Sequence, residues 1–421
     1  MGQHDFRICV GYCFVILMNG IVSFGQEAAV SKIRSDAQAN AATVGVDPVK
    51  IVKATAALQT LVENKKIAGA VVMASRRGKI VLAEAVGLGR VEQKQPMQLD
   101  SIFRIYSMTK AVTSVAAMQL VEQGKLELDA PISKYLPEFA SVKFDGKAAS
   151  PSVRDLLRHT SGLTYGIFGD SPVDRKYRSA GVLSGTDSNQ VLVEKVAKIP
   201  LLYEPSTKFH YSVSSDVLGR LVEVAAGNTL EEQFTKHIFE PLGMNDTGFY
   251  VPDEKVARFV DSFGPGTAGE LRTIDVASSS PFLRRPTFQS GGGGLVSTAT
   301  DYMRFCQMLC GFGELEGVRL LSENTVREMT RDQLPSAAFP IEMNGLKRNG
   351  VGFGLGFSVV AEPIPGFEYV PLGEYGWGGA ASTHYWISPK HELAVVVLSQ
   401  VTPFTFQCES AVKPLIYEAI E

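Results

Sequence analysis

The chain contains few cysteines, and their positions argue against the sites that cysteines usually build. Of five cysteines in 421 residues, two lie in an apolar N-terminal run, which leaves Cys306, Cys310 and Cys408. Three cysteines in a chain of this length do not make a disulfide framework. No histidine or acidic residue stands at metal-ligand spacing from Cys306 and Cys310, and no His-Glu-x-x-His pattern occurs, so we expect no metal site.

An excess of charge of one sign is also lacking. Lys and Arg total 41 and Asp and Glu total 44, which gives a formal net charge of −3. With no Lys/Arg-rich run either, a nucleic-acid-binding role is excluded. After residue 25 no apolar stretch reaches membrane-spanning length, so no integral membrane domain is expected. A composition that is 45% hydrophobic and 20% charged is typical of one large or two ordinary globular domains.

The first 25 residues differ from the rest of the chain. An apolar run ends near Ser23 and Gly25, small residues in the spacing of a signal-peptidase site. We expect residues 1–25 to be a signal peptide that directs export to the periplasm or the medium. The alternative, a retained membrane anchor, is disfavoured because an Asn-Gly pair interrupts an already short run. The polar, Ala-rich residues 26–46 are expected to form a linker.

The remaining chain, 47–421, has strand-like patterns at both ends and helical patterns between them. The strand-like runs are 68–74, 80–85, 382–387 and 393–398. This order predicts an α+β fold, in which one antiparallel sheet is shared by both ends of the chain. A helical insertion, at roughly 107–290, is expected to interrupt it.

Several catalytic and cofactor motifs are absent or occur out of context. The G-x-S-x-G elbow does not occur, which argues against an α/β-hydrolase. A G-x-G-x-x-G pattern spans 264–269, but no helical pattern follows it, so we interpret it as a loop. The four glycines 291–294 lack the lysine of a phosphate-binding loop and are expected to allow a close backbone approach near the active-site sheet. No cofactor is expected.

The S-x-x-K pattern occurs twice, and its context separates the two copies. Ser410 and Lys413 precede Pro414 near the C-terminus, where a solvated helix start is the simplest prediction. Ser107 and Lys110 instead begin an almost wholly apolar segment that ends at Gly124, which predicts a buried helix.

Ser107 and Lys110 have the spacing of a nucleophile and its base. Residues three apart share a helix face, so the lysine is expected beside the serine hydroxyl. The helix N-terminus favours a developing alkoxide, and burial of an amine favours its neutral form, which can accept a proton. The alternative, Ser107 as a helix cap and Lys110 as a solvated residue, is weakened by the apolar helix that follows.

Two further segments, together with the first S-x-x-K copy, form a set of three motifs. Residues 208–221 contain Tyr211 and begin a second amphipathic helix, and 373–381 lead into a late strand. With the first S-x-x-K they resemble the serine hydrolases related to class C β-lactamases and penicillin-binding proteins, and most of all the family VIII carboxylesterases. The similarity extends over most of 48–420 and includes the segments 103–106, 156–163, 241–244 and 290–295.

The resemblance implies a β-lactamase/transpeptidase-like fold and a role for each matching residue. Ser107 matches the acylated nucleophile, Lys110 its base, and Tyr211 the tyrosine that exchanges protons with the serine and the leaving group. The backbone N–H groups of Ser107 and Ala380 would form the oxyanion hole. The third motif, which borders the substrate, is Trp377, Gly378 and Gly379.

The tyrosine motif departs from the family pattern. Two residues after Tyr211, where the family commonly has asparagine, this chain has Val213. Asp216 lies about one turn later, where it either replaces the missing amide or serves as a first-turn acid that the helix dipole favours.

The third motif also departs from the family pattern. Penicillin-recognising enzymes place Lys or His with Thr or Ser there, which bind the substrate carboxylate, whereas Trp377 and Gly378 offer neither a cation nor a hydroxyl. This favours neutral, partly apolar acyl esters over β-lactams and cell-wall peptides. His159 and His384 are candidates to line the cleft, although a lone histidine is more often structural.

These observations predict an exported serine hydrolase that acts through an acyl-enzyme on a small-molecule ester or amide. A carboxylesterase is the first expectation, and a D-alanyl-D-alanine carboxypeptidase or weak β-lactamase is the alternative. A non-catalytic binding or sensor protein of the same fold is the last candidate, because Ser107, Lys110 and Tyr211 are all present. The oligomeric state stays open.

Overall fold

The computed structural model describes residues 31–267, 269–343 and 345–420. The predicted signal peptide, 1–25, lies outside the described residues. The helices are α1 (31–43), α2 (Pro48–Ile51), α3 (Lys53–Glu63), α4 (Thr109–Glu122), α5 (Val153–Leu157), α6 (Pro172–Ser179), α7 (Asn189–Val196), α8 (Ser214–Ala226), α9 (Leu230–Phe234), α10 (Glu240–Leu242), α11 (Ala299–Cys310), α12 (Glu323–Met329) and α13 (Gln407–Glu418). A π-helical turn, Thr235–Phe239, joins α9 to α10.

The strands are β1 (Gly69–Arg76), β2 (Lys79–Arg90), β3 (Gln95–Pro96), β4 (Ile102–Arg104), β5 (Lys143–Phe144), β6 (Lys147–Ala148), β7 (Ser262–Pro265), β8 (Leu271–Asp275), β9 (Val296–Thr298), β10 (Glu314–Leu315), β11 (Val318–Arg319), β12 (Glu342–Met343), β13 (Leu346–Lys347), β14 (Val351–Phe353), β15 (Ser358–Val360), β16 (Tyr375–Gly379), β17 (Thr383–Ser388) and β18 (Leu393–Leu398). Short 3-10 turns are Tyr106–Met108, Ile132–Lys134, Pro137–Ser141, Asp253–Arg258, Ala277–Ser279, Pro281–Leu283, Ser336–Ala338 and Pro389–His391.

The main sheet has eight antiparallel strands in the order β14-β15-β16-β17-β18-β1-β2-β3. The predicted strand-like runs 68–74 and 80–85 form the hairpin β1–β2, and β1 also pairs with β18, where Val71 lies opposite Leu398. Strands from the two ends of the chain are therefore neighbours, which confirms the predicted α+β fold.

Every residue of β1 and β18 is buried, because helices cover both faces of the sheet. Val71 and Met73 belong to the larger core, with α4 and α11, whereas Val72 and Ala74 pack into a second core with α3 and α13. Successive side chains of a strand point to opposite faces, so a strand covered twice has a continuous apolar sequence.

The segment that the sequence predicts to be a polar linker, 26–46, contains α1. Ala37 and Ala41 of this helix are buried, and Asn40 Nδ2 donates a 3.2 Å hydrogen bond to the Ile80 carbonyl. Small side chains four residues apart let the helix approach the sheet closely. The described part of this segment is therefore packed against the second core and is not an extended linker.

The region 107–290 holds α4 to α10 but also small antiparallel pairs, β5–β6 and β7–β8, so it is less purely helical than expected. At its centre α4 is buried from Thr109 to Leu120, as its apolar sequence predicts, and packs against α8. Among the described residues, no helix has both the length and the apolar character that a membrane crossing requires.

Candidate active site

Ser107 lies at the junction between the main sheet and the buried helix α4. It occupies the 3-10 turn that runs directly into α4, and the preceding residue, Tyr106, has a φ of 41°. An aromatic residue in the left-handed region is strained, and such strain is common at functional sites. Ser107 therefore sits at a helix N-terminus, directly after a strained backbone turn at Tyr106.

Lys110 is one helical turn from Ser107 and is almost completely buried, at 1% exposure. Its Nζ lies 3.2 Å from Ser107 Oγ, donates to the Gly292 carbonyl oxygen at 2.6 Å and reaches the Tyr165 hydroxyl at 2.9 Å. It also lies 4.7 Å from the centre of the Tyr211 ring. The structure thus brings the predicted lysine to the predicted serine.

Tyr211 approaches the same serine oxygen from the segment before α8. Its hydroxyl donates a 2.7 Å hydrogen bond to Ser107 Oγ and accepts a 3.3 Å bond from Trp377 Nε1. Ser107 Oγ therefore lies within hydrogen-bond distance of both Lys110 and Tyr211, the arrangement that proton exchange with a nucleophilic serine needs.

Asp216 is linked to the lysine through Gly292. Its Oδ1 accepts hydrogen bonds from Ser290 Oγ at 2.5 Å and from the Gly292 N–H at 3.0 Å, and burial raises the pKa of this carboxyl group. Because the Gly292 carbonyl binds Lys110, Asp216 supports the lysine through the loop backbone. Val213, in the place of the family's asparagine, is buried in the core.

The glycine loop allows this close approach. A Cβ at Gly292 would lie 2.5 Å from Asp216 Oδ2, so any larger residue would displace the carboxylate. The close backbone approach predicted for 291–294 is present at this position, but its partner is the Asp216 side chain of α8 and not the active-site sheet.

Sequence reasoning missed Tyr165. Its hydroxyl is a partner of Lys110, its ring lies 5.4 Å from that of Tyr211 and 5.7 Å from that of Phe168, and burial raises its pKa well above the usual tyrosine value. It lies in a loop with no periodicity, and only its proximity to the family-like segment 156–163 could have drawn attention to it.

The third motif forms β16, which borders Ser107 on the sheet side. A Cβ at Gly379 would lie 2.2 Å from the Ile105 carbonyl oxygen, so this strand is in close contact with the residues that precede Ser107. Trp377 lies opposite Tyr385 of β17 and packs its ring 5.4 Å from that of Tyr211. The oxyanion hole formed by the N–H groups of Ser107 and Ala380 stays a prediction.

The two candidate histidines have different surroundings. His159 is buried with its ring 4.9 Å from that of Tyr211, and burial lowers its pKa well below the usual histidine value. His384 instead bonds the C-terminal segment, with Nδ1 3.0 Å from Glu409 Oε2 and Nε2 2.9 Å from the Thr405 carbonyl oxygen. Only His159 contacts a predicted catalytic side chain.

The second S-x-x-K copy is not a solvated helix start. The Lys413 side chain is 12% exposed, and its Nζ lies 2.7 Å from Glu374 and 2.8 Å from Glu409. Two carboxylates compensate the buried ammonium, and their charge raises the pKa of Lys413. Ser410 itself is exposed to solvent. The prediction of a solvated lysine here was wrong. Ser410 is nevertheless more exposed to solvent than Ser107.

The half-buried Ser107 at a helix N-terminus, the buried Lys110 beside it, the tyrosine on the same serine oxygen and the antiparallel sheet at their side define a serine hydrolase of the β-lactamase type. The family described as Beta-lactamase matches residues 54–411, and the chain belongs to that family.

Two relatives are named as esterases. The chain is 30% identical to Esterase EstB of Burkholderia gladioli over 80% of this chain and 86% of that protein. It is 31% identical to the Lovastatin esterase of Penicillium rubens, over 80% and 90%. Among solved structures, EstCE1, described as a hydrolase with promiscuous acyltransferase activity, superimposes with a TM-score of 0.77 at 28% identity, over 87% and 97% of the two chains.

Proposed function

We propose that this serine hydrolase is a carboxylesterase that cleaves neutral small acyl esters through an acyl-enzyme on Ser107. The observation that carries the proposal is the position of Ser107 Oγ, 3.2 Å from Lys110 Nζ and 2.7 Å from the Tyr211 hydroxyl. The third motif beside it offers an indole and glycines, where carboxylate-binding enzymes place a cation and a hydroxyl.

Lys110 is well placed to act as the base. A neutral amine has two N–H donors and one lone pair. The Gly292 carbonyl and the Tyr165 hydroxyl can accept the two N–H groups, which leaves the lone pair for the Ser107 proton. In the first step Lys110 takes this proton while Ser107 Oγ bonds to the ester carbonyl carbon.

Collapse of the tetrahedral intermediate breaks the bond to the alcohol. Tyr211 gives its proton to the departing alkoxide and recovers a proton from Lys110, since both groups lie within hydrogen-bond distance of Ser107 Oγ and Lys110 Nζ is 4.7 Å from the centre of the Tyr211 ring. The product is acyl-Ser107 and a free alcohol. A water then attacks the acyl carbon, loses its proton to the same pair, and the carboxylic acid leaves as Ser107 is reprotonated.

The negative charge of each intermediate needs fixed donors. We assign this role to the backbone N–H groups of Ser107 and Ala380, because β16 lies directly beside the segment that carries Ser107. Donors that are already oriented stabilise an oxyanion without reorganisation, and the loss of one such donor typically costs about 10²–10³-fold in rate.

Acyl transfer to an alcohol in place of water is a second candidate activity. It uses the same acyl-Ser107 and differs only in the acceptor, and the description of EstCE1 supports it. The β-lactamase or D-alanyl-D-alanine carboxypeptidase alternative has less support, because a substrate carboxylate would meet Trp377 and Gly378. Export through a cleaved signal at 1–25 is part of the proposal.

The test is a panel of p-nitrophenyl esters of increasing acyl length, run beside nitrocefin and a D-Ala-D-Ala peptide. We expect kcat/KM for the short neutral esters to be well above that for the two carboxylate-bearing substrates. Adding a small alcohol as second acceptor distinguishes transfer from hydrolysis by the new ester that forms. Preferred turnover of the peptide or of nitrocefin would overturn the proposal.

A further inference from the structure

Gly378 of β16 has no side chain, and the ring of Phe404 occupies the space that a side chain at this position would take. A Cβ at Gly378 would lie 2.8 Å from Phe404 Cε2 and 2.9 Å from the Thr383 carbonyl oxygen. Phe404 comes from the loop between β18 and α13. A serine or threonine side chain at position 378 could not be accommodated unless Phe404 moved.

Phe404 is held in place although its side chain is 40% exposed. Its ring centre lies 5.1 Å from that of His384 and 4.8 Å from that of Phe406. His384 is fixed in turn by Glu409 and by the Thr405 carbonyl, and the Thr405 N–H donates to Ser382 Oγ at 3.0 Å. The exposed face of Phe404 is therefore a fixed apolar surface beside the third motif.

The side of the substrate that meets this surface follows from the chemistry of the carboxylate-bearing substrates. In a D-Ala-D-Ala peptide the carboxylate belongs to the leaving D-alanine, and in a β-lactam it is carried on the ring of the leaving amine. The hydroxyl that binds it in the penicillin-recognising enzymes, at the position of Gly378, therefore faces the leaving group. In an ester the leaving group is the alcohol.

We propose that Phe404 is a specificity-determining residue that forms the alcohol subsite, and that this subsite favours neutral esters of aromatic or other bulky apolar alcohols. The inference rests on the proposed esterase function. The ring replaces a carboxylate-binding hydroxyl by an apolar wall, so an anionic leaving group loses a partner while an aromatic alcohol gains a ring to pack against.

The first test compares benzyl acetate with ethyl acetate, which share the acyl group and differ in the size of the alcohol. We expect Phe404→Ala to lower the benzyl-to-ethyl ratio of kcat/KM about tenfold, mainly through KM, and Phe404→Leu to lower it less. The matched control is Phe367→Ala, which removes a phenylalanine of similar exposure, 48%, that packs against Tyr369. The benzyl-to-ethyl ratio of kcat/KM in this control variant should stay within about twofold of the ratio in the unmodified protein.

Two p-nitrophenyl esters that differ only in their acyl group test whether Phe404 acts on the alcohol part of the ester and not on the acyl part. The preference for p-nitrophenyl butyrate over the acetate should be the same in Phe404→Ala and in the unmodified protein. A change in this acyl preference with an unchanged benzyl-to-ethyl ratio would overturn the assignment, and so would a fall in the ratio as large in Phe367→Ala as in Phe404→Ala.

The second test uses the steric conflict itself. Gly378→Ser alone should lower ester turnover about tenfold or more because its side chain meets both the Phe404 ring and the Thr383 carbonyl oxygen, and Phe404→Ala should restore the part of that loss that the ring causes in the double variant. Thermal unfolding of each variant reports whether it folds. Full activity of Gly378→Ser, or strictly additive losses in folded variants, would show that Phe404 does not fill this space. Ser107-dependent turnover of ethyl acetate by the unmodified protein tests the esterase function separately.

Discussion

Lys110 and Asp216 both form hydrogen bonds with Gly292, the lysine with its carbonyl oxygen and the aspartate with its N–H. Lys110 Nζ donates to the Gly292 carbonyl at 2.6 Å, and the Gly292 N–H donates to Asp216 Oδ1 at 3.0 Å. The family's asparagine, which would bond the lysine directly, is replaced by Val213, and a carboxylate and a glycine loop give the lysine indirect support instead.

The role of Asp216 can be tested by two substitutions, one that removes the carboxyl group and one that keeps its size. Asp216→Ala leaves the half-buried Ser290 hydroxyl and the buried Gly292 N–H without their acceptor, which should cost about 1–3 kcal/mol of stability for the N–H group and about tenfold in kcat. Asp216→Asn keeps an oxygen acceptor and should retain most activity. Equal kcat values for the alanine variant and the unmodified protein would contradict support of Lys110 through Gly292.

Lys110 and Tyr211 are expected to act as one unit with Ser107. Lys110→Ala and Tyr211→Phe should each lower kcat/KM for an ester roughly 10²–10⁴-fold, the range typical of acid–base groups. The double variant should lose little more than the worse single variant, because groups on one proton path are not additive. Strictly additive losses would mean that the two residues serve separate steps.

Trp377 is expected to control the choice between neutral and anionic substrates. An unpaired carboxylate in a closed cleft is costly, so Trp377→Lys should weaken ester binding and improve turnover of nitrocefin, narrowing the gap in kcat/KM. Efficient nitrocefin hydrolysis by the unmodified protein would be the contrary result. In that case Arg348, whose guanidinium carbon lies 5.4 Å from the ring centre of Phe406, would be the candidate partner for the substrate carboxylate.

Asp301 should make stability depend on pH. This carboxyl group accepts hydrogen bonds from the Asp246 N–H and the Thr247 hydroxyl, and burial raises its pKa to about 6. The folded protein then binds a proton that the unfolded chain releases near pH 4. Stability from this group is present below about pH 4 and is lost as the pH rises through about 6, by about 3 kcal/mol.

Denaturant unfolding measured from pH 4 to pH 7 checks this prediction. The fall in the free energy of unfolding should be smaller by about that amount in Asp301→Asn, which keeps an oxygen acceptor but does not titrate. Parallel curves for the two proteins would mean that Asp301 does not carry the effect.

Local patterns in the sequence predicted the parts of the site that are close together in the chain. Ser107 and Lys110 lie three residues apart at the start of an apolar helix, and helix geometry alone places them side by side. Tyr211 follows from the resemblance to a known family, because nothing in its own surroundings distinguishes it from a buried aromatic residue.

The remaining contacts depend on loops that meet only in the folded chain. Tyr165 reaches Lys110 across 55 residues, and Ser290 reaches Asp216 across 74. Lys413 was misjudged for the same reason, since its partner Glu374 comes from the distant strand segment. Such pairings carry no periodicity, so the sequence alone could not indicate them.

The most direct test of the account is to trap the covalent intermediate. A p-nitrophenyl phosphonate should inactivate the protein, and peptide mass spectrometry should find the phosphonyl group on Ser107 alone, while Ser107→Ala should fold normally, resist labelling and lack esterase activity. Labelling at Ser410 or at another serine, or undiminished ester turnover by Ser107→Ala, would contradict the assignment of Ser107 as the nucleophile.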